Sequence, residues 1–327
     1  HANRSGGRSE QSAAPTPCII IGEAGSLNHR LLPARPSHVP NALGCGRRHG
    51  GMCQDMLPVM DAPVEAWWLF LCSVATLNVL LWVASLRRYQ HHVRQDPAFH
   101  VRRWHLLLSG IYTLVCGFRG VLPRADVQRI CLFDTYLSSI AVGRSVATVA
   151  EMCLMAQFAL LAHEYARSTR APPLAVLGKI MVVSISFAEV CSWYSVLTTN
   201  YIGNAMEESN WMFLGVLLTL CMLRLRKSVG PQMGRGLLVG LVGAPLFVTF
   251  MITVDIRMYV TRWLADEAAG RAYLTLSQGW QDINTRWVVT GSYSEWAPEM
   301  AWMGLYFSAA VWVSIALTHA PRPQRQP

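Results

Sequence analysis

The sequence is poor in charged residues for its length. Only 14% of its 327 residues are Asp, Glu, Lys or Arg, and 52% are hydrophobic, whereas a soluble domain carries about 25% charged residues. Lysine is almost missing, since Lys179 and Lys227 are the only two. Long apolar blocks alternate with short arginine-rich segments. This pattern excludes an ordinary soluble domain and predicts an all-α, polytopic transmembrane helical bundle, an integral multi-pass membrane protein.

Several common site signatures are also missing. The nine cysteines form no CxxC pair and no zinc spacing, and no glycine-rich phosphate loop follows a strand, so we predict no metal site and identify no cofactor. The net charge is +9, but the arginines lie between apolar blocks, where they face lipid headgroups rather than nucleic acid. The lipid bilayer is therefore the expected partner, and the sequence leaves the oligomeric state open.

The two ends of the chain differ from its middle. Residues 1–62 are rich in Gly, Ser, Pro and Arg and have no helical apolar period, so we expect a disordered or non-native tail there. The chain begins with His1 rather than Met, which favours an upstream read-through, a fragment or a leader. We assign residues 63–320 to a seven-helix transmembrane domain and residues 321–327 to a short cytoplasmic tail.

Seven apolar blocks approach the roughly 20 residues that a membrane span needs. Arginines are denser after the first, third and fifth blocks than in the segments on the opposite side. The positive-inside rule therefore places the N-terminus outside and the C-terminus in the cytoplasm. The predicted spans are about 66–86, 104–122, 137–162, 174–197, 211–225, 236–256 and 300–318.

The predicted outer segment 257–299 carries many aromatic residues. Aromatics at this density are typical of a segment that lies in the headgroup region or folds as a cap over the bundle. A plain interfacial belt explains them equally well. The aromatic residues are Tyr259, Trp263, Tyr273, Trp280, Trp287, Tyr293 and Trp296.

Ionisable residues inside a bilayer are costly, so each is a candidate functional residue. In the third span, Arg144 and Glu151 are seven residues apart, so they share a helix face but lie about 10 Å apart along the axis. That separation predicts no direct pair without help. Glu189 lies in the fourth span, which runs the other way, at a depth that favours an Arg144–Glu189 pair.

Further charges are expected at a similar depth in the outer half. Arg119 and Asp255 lie near the outer ends of the second and sixth spans. Asp134, Glu207 and Glu208 lie in the predicted outer loops, the last two in the loop at 198–210. Together these residues predict a charged pocket open to the non-cytoplasmic side.

The predicted pocket admits two interpretations. Two arginines suit a small anionic or lipid ligand, because guanidinium binds oxyanions bidentately, and a buried Glu151 suits an acid, base or proton relay. Alternatively, the charges form structural ion pairs between spans, and Arg119 and Asp255 simply mark the interface.

Three functional classes remain open. The first is a transporter of a small anionic solute or a proton-coupled carrier, and Pro245 within the sixth span suits the broken helices of carriers. The second is a membrane-embedded enzyme acting on a lipid or prenyl substrate. The third is a seven-span receptor or sensor, although the third span ends in His163-Glu164-Tyr165-Ala166-Arg167 rather than an acidic-Arg-Tyr triplet.

Overall fold

The computed structural model describes residues 60–92, 99–226 and 231–320. The tail predicted for residues 1–62 therefore lies outside the described residues except for its last three, and the predicted tail 321–327 lies outside them entirely. The structure is 84% helical and 2% strand, which confirms the all-α bundle.

Ten helices form the described part of the chain. Six helical segments in this part are long and apolar enough to cross a membrane by length and composition, and they run over 62–90, 140–169, 172–198, 202–225, 237–268 and 293–317. The helices are α1 (Ala62–His92), α2 (Phe99–Val121), α3 (Ile140–Thr169), α4 (Pro172–Thr198), α5 (Ile202–Leu225), α6 (Pro231–Phe250), α7 (Ile256–Ala268), α8 (Leu276–Thr285), α9 (Tyr293–Leu305) and α10 (Val311–Leu317).

The predicted second span corresponds to α2, which is not among these six segments. Its apolar character is diluted by His105, Thr113 and Arg119, all buried in the bundle. The helix is nevertheless 23 residues long and packs between α1 and α3. A bundle of about seven spans is therefore consistent with the structure.

Two pairs of helices are joined into continuous rods by π-helical turns. Met251–Asp255 links α6 to α7, and Tyr306–Ala310 links α9 to α10. The predicted sixth span ended at 256, but helix continues to Ala268. The fifth span was predicted from 211, but α5 begins at Ile202 because its first three turns, although polar, are buried against neighbouring helices.

Local sequence signals set several helix ends. Ser139 caps α3 by accepting a hydrogen bond from the Val142 amide, as serine commonly does. Arg170 ends that helix in the left-handed conformation, with φ of 51°, and Pro172 begins α4, where its missing N–H costs nothing. Thr275 and Gln278 form a reciprocal capping box at the start of α8.

A small sheet joins two segments on the side where α2 ends and α3 begins. The strands β1 (Arg124–Ala125) and β2 (Ile130–Cys131) are antiparallel, and β3 (Val288–Val289) pairs with β2 in parallel. Arg129 reinforces this junction by donating to Asp282 at 2.7 Å and to the Val196 carbonyl at 2.7 Å. The segment 269–292, which we call the cap, is thus fixed over the ends of α3 and α4.

The aromatic residues predicted for 257–299 divide between interior and surface. Trp296 is fully buried and stacks near Trp67, with ring centroids 5.5 Å apart. Trp280 on α8 is 60% exposed. The segment therefore contributes to the core as well as to the surface.

The outward helix faces are apolar. Val183 on α4 is 71% exposed and Val239 on α6 is 74% exposed. Neighbouring helices pack in order from α1 to α6, and α10 packs against α2, α1 and α3. Apolar surface on this scale is typical of helices that face lipid.

Candidate functional site

Three helices bring four charged side chains together in one half of the bundle. Arg144 and Glu151 come from α3, Glu189 comes from α4 and Glu207 comes from α5, and all four are buried. They lie about 6–16 Å below the nearest helix ends, from the rise of 1.5 Å per residue. We call these four residues the Arg144 cluster.

The Arg144 guanidinium contacts all three carboxyl groups. Its Nη2 lies 2.8 Å from Glu189 and 3.2 Å from Glu151, and its Nη1 lies 3.6 Å from Glu207. The predicted Arg144–Glu189 pair is therefore present. The prediction that Glu151 is too far for a direct pair was wrong, because the long arginine side chain extends along the helix toward the next turns.

The carboxyl groups of Glu151 and Glu189 lie within reach of a hydrogen bond to each other. Each has one oxygen, Oε2 of Glu151 and Oε1 of Glu189, that is buried without a partner among the described residues. Two facing carboxylates repel unless a proton lies between them. The Arg144 guanidinium, which contacts both groups, offsets part of this repulsion.

Uncharged groups hold the cluster in place. Thr148 donates to Glu189 Oε2 at 2.6 Å and accepts from the Trp193 indole at 3.1 Å. Asn204 donates to Glu207 Oε2 at 3.1 Å. These contacts fix the carboxyl groups on α4 and α5, so that two of the three partners of Arg144 are anchored by neutral groups.

A second charged group lies in the segment between α2 and α3. Asp126 accepts from Arg124 Nε at 2.9 Å and lies 3.9 Å from Arg119. Burial alone would raise the pKa of Asp126, but the charges of Arg124, Arg119 and Arg144 outweigh burial and hold this pKa below its ordinary value. Burial, together with the charges of Arg119 and Arg144, lowers the pKa of Arg124 to about 10, although Asp126 opposes the shift.

Asp255 ends the π-helical turn between α6 and α7. It is buried, and its charge interacts with those of Glu207 and Glu299. Glu299 itself accepts from Arg262 at 3.0 Å and from Gln128 at 2.8 Å. Asp255 is therefore part of the buried polar interior of the protein.

The remaining predicted residues stand apart from the Arg144 cluster. Arg119 is buried and lies over the Phe307 ring, 5.7 Å from its centroid. Asp134 is exposed and accepts from the Trp287 indole at 3.2 Å. Asp134 therefore helps to bind the cap to the segment between α2 and α3.

The opposite half of the interior is joined by uncharged polar groups. Gln157, fully buried on α3, donates to the His105 carbonyl at 2.8 Å and accepts from Ser314 at 2.7 Å. Asn78 donates to the Phe307 carbonyl at 2.8 Å, in the π-helical turn before α10. Gln157 lies six residues, or about 9 Å, beyond Glu151, so these contacts close the interior below the cluster.

Sequence reasoning missed one participant and misplaced another. Glu207 was counted among the charges of the pocket but assigned to a loop, although Asn200 supplies a helix-start signal by accepting from the Ile202 amide at 3.0 Å. Arg124 was not named as a candidate residue, yet it is 1% exposed. No local pattern marks its burial, because the covering residues come from distant parts of the chain.

Comparison with known proteins gave no matching family model, no matching curated protein and no matching solved structure. Within the described ranges, no group of three or more His, Cys, Asp or Glu side chains is placed to hold a metal ion. The function is therefore inferred from the chemistry of the Arg144 cluster and its surroundings.

Proposed function

We propose that this integral membrane protein is a proton-coupled carrier of a small anionic solute. The observation that carries the proposal is the Arg144 cluster, in which one guanidinium contacts three buried carboxyl groups. Three ionised carboxylates and one guanidinium would leave two net negative charges in a medium of low dielectric, which is costly. Protons bound to the cluster remove this cost.

Proton binding at the cluster is linked to helix packing. Glu151, Glu189 and Glu207 stand on α3, α4 and α5, so the bonds of Arg144 connect three helices. A carboxyl group that gains a proton loses most of its attraction for the guanidinium. Each change of protonation therefore redistributes the contacts among the helices, which is the coupling that a carrier needs.

Irregular helices next to the cluster support the same proposal. The π-helical turn Met251–Asp255 packs against α5, which carries Glu207. The second turn, Tyr306–Ala310, packs against α1 and α2. Both helices continue through these turns, as α6 does through Pro245, and π-helical turns concentrate at functional sites.

The test is proton flux in proteoliposomes that hold the full chain and a trapped pH indicator. With the membrane potential clamped, inward gradients of phosphate, sulfate or citrate are imposed one at a time. We expect at least one of these anions to acidify the interior. Glu151→Gln should abolish this flux, and Glu65→Gln, which makes the same change at an exposed position of α1, should preserve it.

The other functional classes predict different results. A receptor would bind an anion saturably without moving protons, and an enzyme would alter a lipid or prenyl substrate chemically. If no anion of the panel drives proton flux, or if Glu151→Gln transports as well as the wild type, the carrier proposal is wrong. The N-out, C-in orientation is part of the proposal, and labelling from the outer side of single cysteines placed at the exposed positions Tyr136 and Ala272 tests it.

A further inference from the structure

The Arg124 guanidinium is buried and only partly bonded. The residue is 1% exposed, and its Nε donates to Asp126 at 2.9 Å. Nη1 and Nη2 are shielded from solvent and have no hydrogen-bond partner within the described chain. Because buried charged donors are nearly always paired, these two nitrogens indicate that an acceptor belongs beside them.

The guanidinium lies directly on the first turn of α3. A Cβ atom added to Gly143 would stand 1.1 Å from Arg124 Cζ and 1.3 Å from Nη2. The arginine head therefore occupies the space that any larger side chain at position 143 would fill. The absence of a side chain at Gly143 is what lets Arg124 reach the start of this helix.

Other hydrogen-bond donors lie at the same helix start. The amides of Ile140 and Ala141 belong to the first turn of α3, where N–H groups have no partner inside the helix and the helix dipole is positive. The Ser138 hydroxyl, one residue before the Ser139 cap, is fully buried and has no partner among the described residues. These donors and the positive end of the helix dipole thus lie at the same helix start as the Arg124 head.

The charge balance of this region also favours an anion. Arg119 and Arg124 share Asp126, at 3.9 Å and 2.9 Å. Two guanidinium groups and one carboxylate leave one positive charge among these three side chains. An anion with two acceptor oxygens would supply the missing acceptors and offset this local charge.

We propose that Arg124, Ser138 and the first turn of α3 form a binding site for an oxyanion, a phosphate or carboxylate group held by Nη1 and Nη2. The planar guanidinium presents parallel N–H groups that match the oxygens of such an anion. The oxyanion is either a free solute or the headgroup of a phospholipid. Its role as the carrier's substrate rests on the proposed function, but its binding does not.

The test compares two glycine substitutions in the full chain, purified in mild detergent. Gly143→Ala keeps every charge, but its methyl group takes the place of the Arg124 head, which can move because it ends a flexible side chain. Gly243→Ala is the matched control, because nothing lies within 4 Å of the added carbon. Phosphate binding is measured by calorimetry, and retained phospholipid by native mass spectrometry.

We expect Gly143→Ala, and also Arg124→Gln, to weaken phosphate binding by roughly 10- to 100-fold, which corresponds to losing one charge-assisted contact. Gly243→Ala should bind as the wild type does. Loss of phosphate binding in both variants identifies a free oxyanion. A phospholipid retained by the wild type and by Gly243→Ala, but lost from both variants, identifies a headgroup.

Two results would overturn the oxyanion site. One is a wild-type protein that binds neither phosphate nor phospholipid, and the other is binding that Gly143→Ala leaves unchanged. Thermal unfolding of each variant is recorded without anion, to show that the variant is folded. If Arg124→Gln does not fold, the binding measured for Gly143→Ala decides the test. The assay uses no membrane and no proton gradient, so failure of the carrier proposal and failure of this site are distinguishable.

Discussion

Replacing Arg144 with glutamine removes the cation from among three buried carboxyl groups. Removing one partner of a buried ion pair costs about 3–5 kcal/mol, because the remaining charge is left uncompensated. Arg144→Gln should therefore lower the free energy of unfolding by about this amount at neutral pH. Arg119→Gln is the control, because Arg119 is as buried as Arg144, each being 6% exposed. Losing Arg119 leaves no carboxylate unpaired, because Asp126 keeps its ion pair with Arg124 at 2.9 Å.

Arg119→Gln should lower the free energy of unfolding by only about 1 kcal/mol, the energy typical of a cation–π contact such as that between Arg119 and the Phe307 ring. The effect of Arg144→Gln should also depend on pH. Without the guanidinium, the folded cluster must hold at least one more proton than the folded wild-type cluster does. The stability of the variant relative to the wild type therefore falls as pH rises, by about 1.4 kcal/mol per pH unit for each extra proton.

The measurement is detergent-induced unfolding followed by tryptophan fluorescence at pH 5.5 and 7.5. The deficit of Arg144→Gln relative to the wild type should be larger at pH 7.5. Adding Glu189→Gln, which neutralises the carboxyl group closest to Arg144, should restore part of the loss. The reasoning is refuted if Arg144→Gln is no less stable than Arg119→Gln at pH 7.5, or if its deficit is the same at both pH values.

Three further outcomes follow from particular contacts. Gly203→Ala should destabilise the protein by about 1–3 kcal/mol, because the added carbon would lie 2.4 Å from the Cys191 carbonyl oxygen. Gly243→Ala, whose added carbon meets open space, should stabilise the protein by up to about 1 kcal/mol. Unfolding curves of the two variants that coincide would contradict this. Gln157→Leu should cost about 1–3 kcal/mol, because it removes two buried hydrogen bonds, one to the His105 carbonyl and one from the Ser314 hydroxyl. An unfolding midpoint equal to the wild type's would show that these bonds contribute nothing. Asp126→Asn should lower stability above about pH 5, because the Asp126 carboxylate, whose pKa is depressed, stabilises the fold only while it is ionised. The loss of stability should shrink as pH falls below about 4. A loss that grows in acid would show that the pKa is shifted in the opposite direction.

Part of the candidate site could be predicted from periodicity and depth. Arg144 and Glu151 share a face of α3 because they are seven residues apart, and antiparallel spans place Glu189 at the depth of Arg144. Their contact distances could not be predicted, because the reach of an arginine depends on its rotamer and on its neighbours. The assignment of Glu207 to a loop failed for a related reason: the polar start of α5 becomes helical by packing against α4, not by its own hydropathy.

The sequence by itself determined that the chain forms a helical membrane bundle, because apolar blocks of span length can satisfy their backbone groups in lipid only as helices. It also determined which charges lie within those blocks. Only the tertiary structure decided which charges meet, since the Arg144 cluster draws on three helices and the Arg124 head rests on Gly143 across a sharp change of chain direction. Such contacts depend on helix rotation and close approach, and these are set by packing between distant residues that no local pattern encodes.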